Sequence, residues 1–161
     1  MTLMTQAYTV VLCQTPAGIL LINRAKPPYR GRWNGLGGKV EPGESPAAGA
    51  VREVQEESGA VIQPRNLFAR GLVHWVEDDQ WRGDLYLFAA QAAAVATPQA
   101  TREGIVAAWS REWLQAPDNL GLTPDLPALL PYFFGSDAPE LTSRFTGNRF
   151  IGLTLEAAHH D

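Results

Sequence analysis

The chain is short of cysteine, of basic residues and of long apolar runs. Its 161 residues include one cysteine, which excludes an intramolecular disulfide and any zinc site with two or more Cys ligands. No apolar run approaches about 18 residues, so a membrane-spanning helix is not expected. The 13 Lys and Arg against 17 Asp and Glu argue against long nucleic acid as a partner, because such proteins need a dense cationic face. Composition predicts one soluble, cytoplasmic domain over residues 1–161, with His159 and His160 in a disordered tail capable of weak adventitious metal binding.

Three pairs of short strand-like runs, each joined by turn residues, predict three β-hairpins. The pairs are Ala7–Gln14 with Gly18–Arg24, Leu67–Val76 with Gly83–Ala90, and Leu141–Phe145 with Arg149–Leu155. Ile105–Ser110 is predicted to be a further strand. Ala25–Gly38 is rich in Pro and Gly, and the end of Ala89–Ala100 contains Thr97-Pro98, so both are predicted to be loops. The pattern indicates a mixed α/β fold in which hairpins dominate over βαβ units.

One helix has clear signals at both ends. Ser45 is a favoured N-cap, Pro46 suits the first helical position, and Gly59 suits the left-handed conformation that ends a helix. A second, short helix is predicted at Arg111–Gln115. Prolines interrupt Ala116–Pro131 in any register, so only short helical pieces fit there.

The first helix carries a cluster of carboxylates. Glu53, Glu56 and Glu57 lie at i, i+3 and i+4, so all three side chains project from one face. Like charges so close repel each other, and a divalent cation such as Mg²⁺, which prefers carboxylates and substrate phosphates, would reverse that cost. Arg52 lies beside them and keeps its proton, so it is suited to orienting a carboxylate or contacting phosphate. A solvated, Glu-rich helix face is the alternative interpretation.

A glycine-rich loop precedes the helix and favours the first interpretation, since Gly35, Gly37 and Gly38 allow close approach of the backbone to a ligand. The segment 38–60 resembles the Nudix box, G-x5-E-x7-R-E-U-x-E-E-x-G-U, in which U is aliphatic. The positions in register are Gly38, Glu44, Arg52, Glu53, Val54, Glu56, Glu57 and Gly59. Ala60, in the last aliphatic position, is the one departure. The flanking hairpins also resemble a Nudix α/β/α sandwich with a mixed β-sheet and a C-terminal β-hairpin.

The resemblance implies a hydrolase that uses Mg²⁺ or Mn²⁺. The residues implied to hold the metal are Glu53, Glu56, Glu57 and the backbone carbonyl of Gly38, with Glu103 as a further candidate. Arg52 would hold Glu53 in place, and Glu44 would support the loop. Glu53 is favoured as the residue that deprotonates or orients water, Glu57 acts mainly as a ligand, and Glu103 is a second candidate base. Glu103 also fits an ordinary loop glutamate.

Residues around the box resemble the MutT-like nucleotide-pool-sanitation branch of the family. The candidates for substrate contacts are Arg24, Asn34, Lys39, Trp75 and Asp125. Asn34 would contact the base, the two cations would contact phosphates, and Trp75 could stack on the base. The alternatives are a turn-forming Asn, plain surface cations and a core or hairpin-surface Trp. Asp125 could read a base edge, although Thr123-Pro124-Asp125-Leu126 lacks the Trp and second Asp of the Trp-Pro-Asp-Asp sequence in vertebrate 8-oxo-purine sanitisers.

These patterns lead to one main hypothesis for function. The protein is expected to be an Mg²⁺-dependent pyrophosphohydrolase that converts nucleoside triphosphates, including oxidised ones, to nucleoside monophosphate and pyrophosphate. Hydrolysis of ADP-ribose or dinucleoside polyphosphates is a second hypothesis. A nucleotide-binding Nudix module without catalysis is a third, disfavoured because all box carboxylates are present. The expected partner is a small nucleotide, with no membrane and no long nucleic acid, and the protein is expected to be a monomer or homodimer.

Overall fold

The computed structural model describes residues 6–156, which form nine strands and three α-helices. The strands are β1 (Ala7–Thr15), β2 (Gly18–Arg24), β3 (Trp33–Gly35), β4 (Leu67–Glu77), β5 (Gln80–Gln91), β6 (Gln99–Ala100), β7 (Gly104–Trp109), β8 (Glu140–Thr146) and β9 (Arg149–Leu155). The helices are α1 (Pro46–Ser58), α2 (Arg111–Gln115) and α3 (Leu126–Phe133), with a 3₁₀ turn at Pro64–Asn66. None of these helices is long and apolar enough to cross a membrane. The predicted tail at His159 and His160 lies outside the described residues.

The strands form one mixed sheet in the order β6-β7-β2-β1-β5-β4-β8-β9, with β3 added beside β2. All three predicted hairpins are present as antiparallel pairs. Two parallel pairings, β1 with β5 and β4 with β8, join the hairpins into the sheet. Parallel neighbours need a long crossover instead of a tight turn, and these crossovers contain the helices.

The two faces of the sheet are covered by different helices. On one face, Ala50 and Val54 of α1 are fully buried and pack with Val11 of β1. On the other face, Leu129 and Phe133 of α3 are buried in a second apolar cluster, which α2 also joins. The predicted α/β/α sandwich, with its mixed sheet and C-terminal hairpin, is therefore confirmed.

Helix α1 begins and ends where its sequence predicts. The Ser45 side chain accepts a hydrogen bond from the N–H of Ala48 at 3.1 Å, and Pro46 is the first helical residue. Gly59 adopts a φ of 79° and donates its N–H to the carbonyl of Gln55. These caps fix the register of the helix and hence the direction of its glutamates.

Two of the predicted loops contain short strands. In Ala25–Gly38, residues 33–35 form β3, because β1 pairs only with the start of β2 and leaves the backbone of residues 21–23 to another partner. Gly35 permits this pairing, since a Cβ there would lie 2.8 Å from the carbonyl oxygen of Val11. At the end of Ala89–Ala100, β6 pairs with β7 at the edge of the sheet. Neither pairing leaves a local pattern in the sequence.

Candidate active site

A cavity of about 870 Å³ lies where the glycine-rich loop and α1 meet the sheet, and this volume suits a small-molecule site. Ten of the eleven residues assigned from the sequence line it: Arg24, Asn34, Gly38, Lys39, Glu53, Glu56, Glu57, Trp75, Glu103 and Asp125. The eleventh, Arg52, lies against the carboxylates of α1 and not in the cavity wall. The box residues and the candidate base-contacting residues therefore share one space.

Arg52 ties α1 to the loop before it. Its Nε and Nη2 atoms donate to the two carboxylate oxygens of Glu44 at 2.8 and 3.0 Å, and Nη2 also donates to the carbonyl of Lys39 at 3.0 Å. Its Nη1 atom donates to Glu53 at 3.1 Å and to Glu56 at 3.2 Å. The hydrogen bonds with Arg52 lower the pKa of Glu44, and those with Glu44 raise the pKa of Arg52. The planar guanidinium is thus placed to hold the Glu53 carboxylate in one orientation.

Glu57, in the last turn of α1, lines the cavity with a buried carboxylate, and the residue is 9% exposed. Its Oε1 atom accepts a hydrogen bond from the N–H of Gly37 at 2.8 Å. Burial raises the pKa of Glu57 to about 8, and the nearby charges of Glu53 and Glu103 act in the same direction. A carboxylate that is so costly to ionise would be stabilised by a cation.

Gly38 provides the space that the Glu53 carboxylate occupies. A Cβ at position 38 would lie 2.8 Å from Glu53 Oε1, so any side chain there would displace the carboxylate. Burial raises the pKa of Glu53, and the hydrogen bond from Arg52 opposes this change. The Gly38 carbonyl accepts the N–H of Thr9 at 2.8 Å and, in a longer contact of 3.5 Å, the Thr9 hydroxyl, so a metal would replace the weaker of these two contacts.

The donor set around α1 fits a hard divalent cation, because it consists of carboxylate and carbonyl oxygens. Within residues 6–156, no three His, Cys, Asp or Glu side chains already form a complete set of ligands. Mg²⁺ does not require one, since it usually keeps several waters and binds substrate phosphates. Glu103 is paired with Lys26 at 3.4 Å and its side chain is 60% exposed, so it would have to leave that ion pair to bind a metal.

Arg24 and Lys39, the two candidate phosphate-contacting cations, line the cavity together with Asn34. The Nε atom of Arg24 donates to the carbonyl of Pro28 at 2.8 Å, which anchors the guanidinium to the loop. Lys39 lines the cavity while its carbonyl holds Arg52. The Oδ1 atom of Asn34 accepts the N–H of Gly35 at 2.9 Å, but Asn34 lies in β3 and pairs with Ile22, so it does not form the turn that was the alternative interpretation. The residue borders the cavity, and its contact with a base stays a prediction.

Trp75 and Asp125 also border the cavity. Trp75 packs edge-to-face on Tyr8, with ring centroids 6.0 Å apart, which fixes the indole. Burial raises the pKa of Asp125 to about 6. The carboxyl group is then partly protonated near neutral pH, and it can donate as well as accept a hydrogen bond.

Several cavity residues carried no signal in the sequence. They are Tyr8, Thr9, Tyr29, Arg102 and Phe145. They belong to no motif and come from distant parts of the chain, so only the sheet order brings them together. The hydroxyl of Thr123 is buried without a hydrogen-bond partner in the described part of the chain.

His74 does not line the cavity. Its Nδ1 atom lies 2.7 Å from a carboxylate oxygen of Asp84, and its Nε2 atom lies 3.5 Å from Glu140. Partial burial lowers the pKa of His74, but the hydrogen bonds and charges of these two carboxylates outweigh it and raise the pKa above the ordinary value.

Comparison with known families gives a match over most of the chain. The model of the NUDIX domain family matches residues 4–133. Over 58 residues, the chain is 47% identical to an oxidized purine nucleoside triphosphate hydrolase of Mus musculus and 43% identical to its namesake of Danio rerio. Each alignment covers 36% of this chain and 37% of the relative, so the chain spans little more than a third of these curated relatives.

Solved structures agree with this match at the level of the fold. The mutator MutT protein of Bacillus halodurans superposes with a TM-score of 0.72 at 22% identity, over 94% of this chain and 97% of that one. The ORF135 protein of E. coli gives a TM-score of 0.55 at 26% identity, over 80% of this chain and 88% of that one.

Proposed function

The chain belongs to the Nudix family of hydrolases, which act on pyrophosphate bonds, and from this premise we propose that it cleaves nucleoside triphosphates to nucleoside monophosphate and pyrophosphate. The cofactor is Mg²⁺ or Mn²⁺. Oxidised purine nucleotides are among the substrates, a proposal supported by the names of the mouse and zebrafish relatives over the aligned third of the chain.

The observation that carries this proposal is the composition of the cavity. Carboxylates of α1 line it together with Trp75 and Asp125. Anionic phosphates need cations, and bases need aromatic and hydrogen-bonding groups. One cavity with both sets of groups supports a nucleotide whose phosphates face α1 and whose base faces the opposite side.

The roles of the chain's residues follow from their contacts. Glu53, Glu56, Glu57 and the Gly38 carbonyl are the groups proposed to hold the metal. When bound, the metal would neutralise charge on the phosphoryl oxygens. Arg52 holds Glu53 in the orientation from which its carboxylate can accept a proton from the attacking water. Lys39 and Arg24 border the cavity and can contact the polyphosphate.

At the other end, the nucleoside is recognised by polar and aromatic groups. Trp75 offers a surface for stacking, because any base has a π-face. Asn34 and Asp125 can both donate and accept hydrogen bonds at a base edge, the latter when its carboxyl group is protonated. These contacts make the base, in addition to the phosphates, a determinant of binding.

A panel of nucleotides tests the proposal. Wild-type protein with Mg²⁺ or Mn²⁺ is incubated with canonical and oxidised nucleoside triphosphates, ADP-ribose and dinucleoside polyphosphates, and the products are separated by chromatography. Turnover of triphosphates is expected, and EDTA is expected to stop it. The variant Glu53→Gln should lose roughly 100-fold or more in turnover, since a general base contributes about that factor.

Glu112→Gln is the matched control, because Glu112 is an exposed residue of α2 outside the cavity. It should retain wild-type turnover and thermal stability. If wild-type protein cleaves ADP-ribose and no triphosphate, the proposed substrate class is wrong. If it cleaves nothing on the panel, the proposed catalytic function is wrong.

A further inference from the structure

Tyr29 has a backbone conformation that is unusual for an aromatic residue. Its φ is 66°, in the left-handed region that favours Gly and Asn. Several hydrogen bonds hold the loop around it: among them, the N–H of Arg32 donates to the Tyr29 carbonyl at 3.0 Å, and Arg24 donates to the carbonyl of Pro28 at 2.8 Å. A non-Gly residue in this conformation directs attention to what its side chain contacts.

The Tyr29 hydroxyl connects this loop to the distant β8–β9 hairpin. It donates a hydrogen bond to the carbonyl of Asn148 at 2.9 Å, across 119 residues of sequence. The hairpin tip is also held from its other side by Asp78, whose Oδ1 atom accepts the N–H of Gly147 at 3.0 Å. The tip is therefore fastened between the β4–β5 turn and the loop of Tyr29.

This bridge lies at the base end of the cavity. Tyr29 lines the cavity, as do Asp125 and Phe145, the latter on the strand that leads to the hairpin tip. Burial raises the pKa of Tyr29, and the negative charges of Asp125 and Glu77 raise it further. Tyr29 therefore lines the same cavity as Asp125, one of the groups proposed to contact the base.

We propose that Tyr29 is a positioning residue for the nucleoside: by fastening its loop to the hairpin tip, it closes the cavity wall around the base and slows nucleotide release. The inference rests on the proposed function and concerns the base end of the same cavity. Loss of the Tyr29 hydroxyl leaves the hydrogen bond between Arg24 and the Pro28 carbonyl in place, so retention of the base and binding of phosphate should respond differently when the bridge is removed.

The variant Tyr29→Phe tests this role because it keeps the ring and removes only the hydroxyl. Hydrogen exchange of the amides at 146–149 in the free protein reports the bridge itself. Release of dGMP, followed by stopped-flow tryptophan fluorescence with Mg²⁺, reports its effect on the nucleoside, and competition by pyrophosphate reports the phosphate end. Tyr132→Phe is the control, because Tyr132 is half-buried outside the cavity.

For Tyr29→Phe we expect faster exchange at 146–149 and a roughly threefold to tenfold faster release of dGMP, the effect of one lost hydrogen bond. Pyrophosphate affinity should stay at the wild-type level. Tyr29→Asn, which suits the left-handed backbone but lacks the ring and its hydroxyl, should also release dGMP faster.

Three outcomes overturn the inference: unchanged exchange at 146–149, unchanged dGMP release, or an equal effect on dGMP and pyrophosphate. If wild-type protein binds dGMP and the Tyr29→Phe effect holds although no triphosphate is cleaved, the proposed reaction fails and the positioning role stands. If wild-type protein does not bind dGMP, both are wrong.

Discussion

Replacing Gly38 with alanine is expected to lower turnover without destabilising the fold. The backbone of Gly38 is not in the left-handed region, so alanine is allowed there. The added Cβ would lie 2.8 Å from Glu53 Oε1, whereas 3.4 Å or more is ordinary van der Waals contact. The Glu53 carboxylate must therefore move by about half an ångström, away from the position that Arg52 holds.

The expected changes in kcat and in stability depend on which atom the alanine displaces. A displacement of about 1 Å of a reacting group can cost roughly 100-fold in rate, so about half that displacement should reduce kcat roughly tenfold. Stability should change by less than about 1 kcal/mol, because the atom that yields is the end of a flexible side chain and alanine reduces the entropy of the unfolded chain.

Gly59→Ala is the matched control for this variant. Gly59 has a φ of 79°, and a Cβ added there would have no neighbouring atom within 4 Å, so alanine meets conformational strain and no collision. It should cost about 1–2 kcal/mol, which lowers Tm by roughly 2–8 °C, and leave kcat unchanged. Steady-state hydrolysis gives kcat and calorimetry gives Tm for both variants: Gly38→Ala should lower mainly kcat, and Gly59→Ala should lower only Tm. Wild-type kcat in Gly38→Ala, or a loss of Tm as large as that of Gly59→Ala, would refute the reasoning.

Three further variants test other parts of the structure. Thr123→Val removes a buried hydroxyl that has no hydrogen-bond partner in the described residues, and such a group costs about 1 kcal/mol of stability. Calorimetry should therefore show a Tm that is roughly 2–4 °C higher, and a lower Tm would contradict this. Because the folded-state pKa of His74 is raised, its stabilisation is complete below about pH 6.5 and is lost as pH rises through that pKa. The stability difference between wild type and His74→Gln, from urea midpoints, should therefore shrink from about pH 5.5 to about pH 8.5, and a constant difference would count against it. Lysine at position 52 cannot make the paired hydrogen bonds that Arg52 makes to Glu44. In steady-state kinetics of Arg52→Lys, kcat should therefore fall by a larger factor than KM rises. A change in KM alone would argue against a role of Arg52 in orienting Glu53.

The helix and its carboxylates could be predicted from the sequence because each signal acts over a few residues. Ser45 and Gly59 set the ends of α1, and the register then places the glutamates on one side. The contact between Arg52 and Glu56 follows from their i, i+4 spacing. The hairpins were predictable for the same reason, since each joins neighbouring runs through a short turn.

The base end of the cavity could not be predicted in this way. Phe145 is placed by the parallel pairing of β4 with β8, Thr123 by its hydrogen bond to the Trp33 carbonyl, and Tyr29 by its hydrogen bond to the Asn148 carbonyl. Each of these contacts joins distant segments of the chain. Contacts between segments that lie far apart in the sequence leave no periodic pattern in the residues of either segment. Strand β3 was missed for a related reason: its glycine-rich composition is typical of a loop, and only the backbone that β1 leaves unpaired in β2 makes it a strand.

The central claim is that the carboxylates of α1 and the groups around the base form one pyrophosphohydrolase site. Phosphorus-31 NMR of a nucleoside triphosphate incubated with wild-type protein and Mg²⁺ tests it most directly. Nucleoside monophosphate and pyrophosphate should appear in equal amounts, and neither should accumulate with Glu53→Gln. Formation of nucleoside diphosphate and orthophosphate, or an undiminished rate with Glu53→Gln, would contradict the account.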